Sequence, residues 1–256
     1  MNLSGNTILI TGGSSGIGFE IARQLRKQDN KVIITGRNQE KLKKAEAELG
    51  VTGIRSDVSR SEEIEELKQQ ISKEFPELNI LINNAGTMQK VNLQNHSHSA
   101  ETLTMELDVN VKGPIWMNDA FLPLLKGKSN AAIVIVSSGL AFVPLPISAV
   151  YCATKAALHS YSQSLRVQLA NTNVKVFELA PPATRTELLG EFDDADMDGI
   201  AVMTVDKMVD VFLKGLAKDQ YEICPGQASQ LKFMGRFFPN FILKQLSKTV
   251  QVMQAG

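Results

Sequence analysis

Two cysteines, Cys152 and Cys224, are too few for a disulfide framework and carry no redox spacing, so reduced thiols and a cytoplasmic protein are expected. No apolar run approaches the roughly 20 residues a membrane-spanning helix needs. The opening residues Met1–Asn6 have no cationic run leading into an apolar one, so no secretory leader is expected. Charge of one sign is also missing: 27 cationic residues balance 27 acidic ones, no basic stripe stands out, and nucleic acid is not an expected partner. Histidine is scarce. His96 and His98 flank Ser97 in a polar stretch, but a zinc site needs three or four ligands and no others stand at fitting spacing. A solvated loop is the better account, and no metal is expected; His159 reads as packing or interface. There is no repeat, low-complexity tract or linker, so residues 1–256 read as one domain.

What is present is an alternation. Thr7–Thr11, Lys31–Thr35, Ile80–Asn83, Ala131–Ser137 and Val174–Leu179 are short, β-branched and apolar throughout, as parallel strands covered on both faces should be. Val51–Asp57 is a weaker strand. Between them, Gly16–Gln28, Gln39–Leu49, Ser61–Phe75, Glu101–Leu125 and Val150–Ala170 have helical length and composition. Such alternation predicts an α/β fold, a doubly wound parallel sheet with helices on both faces.

Two motifs carry chemistry. Thr11-Gly12-Gly13-Ser14-Ser15-Gly16-Ile17-Gly18 joins the first strand to the first helix, where glycines allow a tight turn and the helix N-terminus offers N–H groups to a pyrophosphate. Tyr151 and Lys155 lie one helical turn apart on one face. An ammonium there would favour the phenolate and bring a phenol of pKa about 10 toward the working range. Each motif alone has a plainer account, a glycine-rich turn or a chance pair on a helix.

Together they make the chain resemble the short-chain dehydrogenase/reductase family from about Asn6 to Gly226. Asn84, Ala85 and Gly86 follow the fourth strand as in that family. Asn110 sits in Asp108-Val109-Asn110-Val111, Ser138 lies thirteen residues before Tyr151, and the pair Asp57-Val58 follows the third strand. The stretches around Ser138–Phe142 and Tyr151–Ser160 look like the DltE-like bacterial branch. The resemblance implies a Rossmann-type fold and a nicotinamide cofactor. It implies catalytic roles for Tyr151 as acid/base, Lys155 as modulator and ribose contact, Ser138 as donor to the substrate oxygen, and Asn110 as anchor of a water. Singly, Ser138 could be a cap, Asn110 a buried fixture of a helix bend, and Lys155 a snorkelling surface residue. The resemblance further assigns cofactor contacts to Gly12, Ser14, Ser15, Gly16, Ile17, Gly18, Asp57, Val58, Asn84, Ala85, Gly86, Tyr151, Lys155, Pro181, Thr184 and Thr186. Pro182 replaces the family's usual glycine and removes one N–H donor.

At the end of the second strand, Gly36 occupies the usual acidic position and Arg37 follows, with Asn38 beyond. An acid would accept from the adenosine ribose, whereas a guanidinium pairs with a 2′-phosphate, so NADP(H) is expected over NAD(H). The expected activity is hydride transfer between that cofactor and a hydrophobic carbonyl or secondary alcohol. A non-catalytic NADP sensor, and a sugar-nucleotide epimerase or dehydratase, are alternatives. Met88, Leu140, Phe142, Pro144, Leu145, Ala183, Leu188, Leu189 and Met203 are candidate pocket residues. The family resemblance also implies a homodimer or homotetramer, with the interface helices falling at Glu101–Leu125 and Val150–Ala170.

Residues 187–203 read as a substrate lid; Glu191–Asp198 carries five acids and no base, the composition of a solvated, mobile loop. Residues 227–256 read as a helical extension that Pro239 breaks in two. Its apolar positions surround the helix, which favours packing against the protein itself or a second subunit and disfavours membrane contact.

Overall fold

The computed structural model describes residues 1–193, 196–197 and 200–255. Seven parallel strands form one sheet in the order β3-β2-β1-β4-β5-β6-β7. The chain runs β1 (Thr7–Thr11), α1 (Gly16–Arg26), β2 (Lys31–Gly36), α2 (Gln39–Leu49), β3 (Thr52–Arg55), α3 (Ser61–Glu74) and β4 (Leu78–Asn83). It continues through α4 (Ala100–Leu107), a π-helical turn at Asp108–Lys112, α5 (Gly113–Leu125), β5 (Ala132–Val136), α6 (Ala149–Gln168) and β6 (Lys175–Leu179). Last come α7 (Val205–Ala217), β7 (Glu222–Ile223), α8 (Gln227–Phe237), α9 (Pro239–Leu246) and α10 (Lys248–Ala255).

The strands are apolar throughout because both faces are covered. In β1, Ile8 and Ile10 pack into one core with α1 and α7, while Leu9 points into the other core with α3, α5 and α6. The same alternation recurs in β5, where Ala132, Val134 and Val136 face one side and Ile133 and Ile135 the other. Chain order reverses between β1 and β4, which opens a crevice at the carboxyl ends of the strands, the usual ligand position in such sheets.

The structure departs from the sequence reading in three places. The single helix expected over Glu101–Leu125 is interrupted: the Gly113 N–H reaches back to the Asp108 carbonyl, five residues away. α7 and the two-residue β7 were not anticipated. The extension forms three helices, not two, with Pro239 opening α9, where its missing N–H costs nothing. A third apolar cluster of Met88, Leu145, Ile147, Tyr151 and Cys152 takes Leu246, Val250 and Met253 from this extension. Its apolar residues are nevertheless buried on one side only, since Phe233, Phe237, Phe238 and Phe241 are exposed.

Candidate active site

A cavity of about 720 Å³ lies along the carboxyl ends of the strands. One end is the glycine turn. A Cβ at Gly12 would stand 2.8 Å from the Ala85 Cα, and one at Gly18 2.4 Å from the Gly12 carbonyl oxygen, so backbone approaches backbone as only glycine allows. Gly12 and Gly16 also have φ of +65° and +56°. The turn is braced from β4: the Asn84 side-chain amide donates to the carbonyls of Thr11 (2.9 Å) and Gly12 (3.1 Å). The Thr11 hydroxyl accepts from the Asn84 and Ala85 N–H groups. No side chain caps α1, whose N-terminal residues Gly16 and Ile17 border the cavity. Uncapped N–H groups at a helix N-terminus beside a cavity suit a pyrophosphate, and this end fits a dinucleotide.

Next to the turn, Gly36, Arg37, Asn38, Asp57 and Val58 border the same cavity. Asn38 has a second duty, since its side-chain oxygen accepts from the Glu40 and Lys41 N–H groups and caps α2. Lys41, which the sequence reading passed over, also borders the cavity and pairs with Glu187 at 2.6 Å. Pro181, Thr184 and Thr186 form the wall after β6. Thr184 is buried and donates to the Pro182 carbonyl, while Thr186 stands 3.3 Å from where a Cβ on Gly16 would be.

The other end holds the reactive groups. Ser138 follows β5 and accepts from the Leu140 N–H at 3.1 Å, so it is a cap as well as a cavity hydroxyl. Tyr151 and Lys155, 6% and 4% exposed, project from α6. The Lys155 ammonium donates to the Val136 carbonyl at 3.0 Å and lies 5.5 Å from the centre of the Tyr151 ring. Burial pushes the Tyr151 phenol above its usual value, with the Ser138 hydroxyl pulling the other way. This reverses the expected direction: in the protein alone, desolvation of the phenolate is the largest effect. Burial also brings Lys155 down to about 8, against the pull of Glu106.

Asn110 stands behind this wall and does not border the cavity. Its side chain accepts from the Thr87 N–H and donates to the Thr87 carbonyl and the Thr154 hydroxyl, contacts that hold the Gly86–Thr87 segment against α6. Glu106, one turn earlier, is 2% exposed and accepts from the Gln89 N–H at 2.8 Å. Burial pushes its carboxyl up to about 7. No motif marks Glu106; only its apolar neighbours in a helix beside Asn110 could have hinted at it.

Of the candidate pocket residues, Met88, Leu140, Leu145, Ala183, Leu188 and Leu189 line the cavity; Phe142, Pro144 and Met203 do not. The extension supplies walls the sequence did not assign, including Leu231, Met234, Ile242 and Leu246. Glu187–Glu191 forms a 3₁₀ turn over the cavity. Asp196 is buried and pairs with Lys90, which also reaches Asp193, so this part of the acidic stretch is pinned. Residues 194, 195, 198 and 199 of the expected lid lie outside the described residues.

His159 packs edge-on against Phe142, ring centres 4.9 Å apart, while His96 and His98 are exposed with rings 5.9 Å apart. Its Nδ1 meets the buried Glu178 at 2.9 Å, and that contact raises its pKa. Burial alone would push Glu178 up, but His159, Ser137 and Ser162 together hold it low. His159, Glu178 and Glu222 could together face an ion, yet the Lys232 ammonium already sits on Glu222. Cys152 is buried, and burial pushes its thiol up to about 11.

The family model for short chain dehydrogenases matches residues 6–196. An uncharacterized oxidoreductase, DltE of Bacillus subtilis (strain 168), is 40% identical over 224 residues, 87% of this chain and 89% of its own. The crystal structure of a short chain dehydrogenase from Burkholderia cenocepacia J2315 in complex with NADP has a TM-score of 0.83 at 25% identity, covering 96% of this chain and 99% of that one. A short chain dehydrogenase/reductase from Burkholderia phymatum in complex with NAD shares the fold, with a TM-score of 0.80 at 21% identity over 91% of this chain and 93% of that one.

Proposed function

This chain belongs to the short-chain dehydrogenase/reductase family, in its DltE-like branch, and from that premise we propose that it is an NADP(H)-dependent reductase of apolar carbonyl compounds, or the reverse alcohol dehydrogenase. One observation carries the reading: Ser138, Tyr151 and Lys155 meet at the apolar end of a cavity whose far end is built for a dinucleotide.

A nicotinamide cofactor bound there supplies or accepts the hydride. The chain's own groups handle the substrate oxygen and its proton. The Ser138 hydroxyl donates to the oxygen as negative charge grows on it. Tyr151, kept protonated by burial, holds a proton ready for that oxygen in the reductive direction. Lys155, with a pKa near 8, can exchange a proton close to neutral pH and so restore the phenol. Asn110 is a positioning residue that fixes the Gly86–Thr87 wall. Gly12, Ser14, Ser15, Gly16, Ile17 and Gly18 would hold the phosphates, with Asp57, Val58 and Ala85 beside the adenosine.

NADP(H) is favoured because no carboxylate stands at Gly36, while Arg37 is exposed at the cavity edge with Lys41 near it. The lining by Met88, Leu140, Leu145, Leu188 and Leu189 favours an apolar substrate. Exposed Leu107 and Ile115 on α4 and α5, and Val167 on α6, favour a homodimer or homotetramer through these helices. Two free thiols fit a cytoplasmic setting.

The test is NADPH consumption across a panel of ketones and aldehydes, repeated with Tyr151→Phe. Removing the phenol should lower kcat by ~10²–10⁴-fold with NADPH affinity nearly unchanged. A Tyr151→Phe enzyme within tenfold of wild type would refute the mechanism. Tight NADPH binding with no turnover on any carbonyl would point to a sensor instead.

A further inference from the structure

The catalytic reading leaves the outer surface of the C-terminal helices unexplained. α8 and α9 turn Leu231, Met234, Ile242 and Leu246 inward onto the cavity. Outward they show Phe233, Phe237, Phe238 and Phe241, 51–58% exposed, and Leu243 at 40%. Among the described residues these are the only exposed phenylalanines, and they sit within nine positions of one another. The rings are contiguous: Phe233 lies 4.9 Å from Phe237 and 6.2 Å from Phe238, centre to centre. A soluble monomer seldom leaves so concentrated an apolar patch bare.

Charge is segregated into the same part of the chain. The chain balances 27 cations against 27 acids, yet after Glu222 it holds Lys232, Arg236, Lys244 and Lys248 and no acid at all. The part up to Glu222 is therefore four charges negative. Lys232 is spent on Glu222. Arg236, Lys244 and Lys248 are exposed and pair with no carboxylate among the described residues; Arg236 lies over the Phe237 ring at 5.6 Å. Aromatic rings among unpaired cations suit the boundary between anionic headgroups and acyl chains.

From this we propose that the outer face of α8 and α9 docks the protein on the surface of an anionic lipid bilayer. The helices are 11 and 8 residues long, far short of a span, so they would lie in the interface plane. A second copy of the chain fits less well. A two-fold contact presses a patch against itself, and here that would oppose like charges, with no acid in α8, α9 or α10 of either copy to offset them. Docking this face also presents the roof of the apolar cavity to the bilayer. The sequence reading disfavoured membrane contact, because apolar residues surrounding the helix favoured burial; the structure buries only the inner set.

The experiment is co-sedimentation of the full chain with vesicles of phosphatidylglycerol or of phosphatidylcholine, at low salt and at high salt, with the solution mass measured in parallel. The wild type should pellet with phosphatidylglycerol at low salt, and at least tenfold less with phosphatidylcholine or high salt. Phe237→Ser with Phe241→Ser, and separately Arg236→Glu with Lys244→Glu, should each cut vesicle binding at least tenfold. Both should keep the wild-type melting temperature and turnover of a water-soluble carbonyl, so failure here is separable from failure of the catalytic assignment. Wild type that stays in the supernatant with both lipids overturns the proposal. So does pelleting indifferent to lipid charge, or a solution mass that halves in the phenylalanine variant, which would give the face to a second copy.

Discussion

On the proposed NADP(H) preference, exchanging Gly36→Asp together with Arg37→Leu should shift the enzyme toward NAD(H), and the structure sets how far. Gly36 ends β2 with no positive φ, so an aspartate meets no backbone strain there. Its Cβ would lie 3.0 Å from the Ser14 Oγ and 3.6 Å from the Ser14 Cβ. That is tight, but a serine hydroxyl rotates, and the new carboxylate can enter the cavity beside it. Two charged contacts then change: a guanidinium–phosphate pair is lost and a carboxylate–ribose bond is gained. At ~1.5–3 kcal/mol for each hydrogen bond to a charged group, the NADPH-to-NADH ratio of kcat/KM should fall by about 10²–10⁴-fold. Lys41 limits the swing. Its pair with Glu187 is half exposed on the lysine side and more so on the acid, hence weak, at roughly 0–1 kcal/mol, so the ammonium is cheaply recruited to a phosphate. The lower end of the range is therefore expected, with Lys41→Ala adding about another tenfold. Initial rates with each cofactor at saturating carbonyl give the ratio directly. A wild-type ratio below one, or a double variant within threefold of wild type, would refute the argument and move recognition to Ser14, Ser15 or Asn38.

Glu106→Gln should alter the pH dependence of stability. Because the folded carboxyl is raised from 4.5 to about 7, its contribution is full below pH 4.5 and lost as pH rises through 7. Thermal melts should show the variant gaining on wild type from pH 5 to 8, by of order 2–3 kcal/mol at the top, since one pKa unit is ~1.4 kcal/mol. Parallel profiles would exclude a buried, titrating Glu106. Lys90→Met should strand the buried Asp196 carboxylate and loosen the stretch that follows Thr186: if that stretch serves as the proposed lid, amide exchange in peptides spanning 187–197 should speed up and substrate KM rise. Unchanged exchange would show that Lys90 is not the latch.

Legibility in the sequence followed the range of the interactions. β1 matches its expected span residue for residue, because a five-residue β-branched run carries its own signal. β7 has two residues and exists only because β6 is there to pair with. α7 was missed although Val205–Ala217 is amphipathic, since the loosened pattern after Leu188 gave no frame for it. Ser138, Tyr151 and Lys155 were readable as a set at family spacing. Lys41, Lys90 and Glu106 were not, because each is defined by a partner that folding brings near: Glu187, Asp196 and the Gln89 amide. The direction of the Tyr151 shift was misjudged for the same reason, as residue spacing reports the lysine but not the loss of water around the phenol.

The π-helical turn at Asp108–Lys112 makes this part of the chain a mechanical phase shifter. An α-helix advances about 100° per residue, so one extra residue in a single turn rotates everything downstream by that angle relative to what precedes it. Glu106 and Asn110 are four positions apart, and both face inward onto the segment after β4. Past the insertion, α5 must present Met117, Phe121 and Leu125 to the core in its own phase. Deleting one residue here would restore a regular helix while turning either the Thr87 anchor or that apolar stripe out of place. Insertions and deletions should thus be tolerated far less at 108–112 than their position at a mere helix junction would suggest.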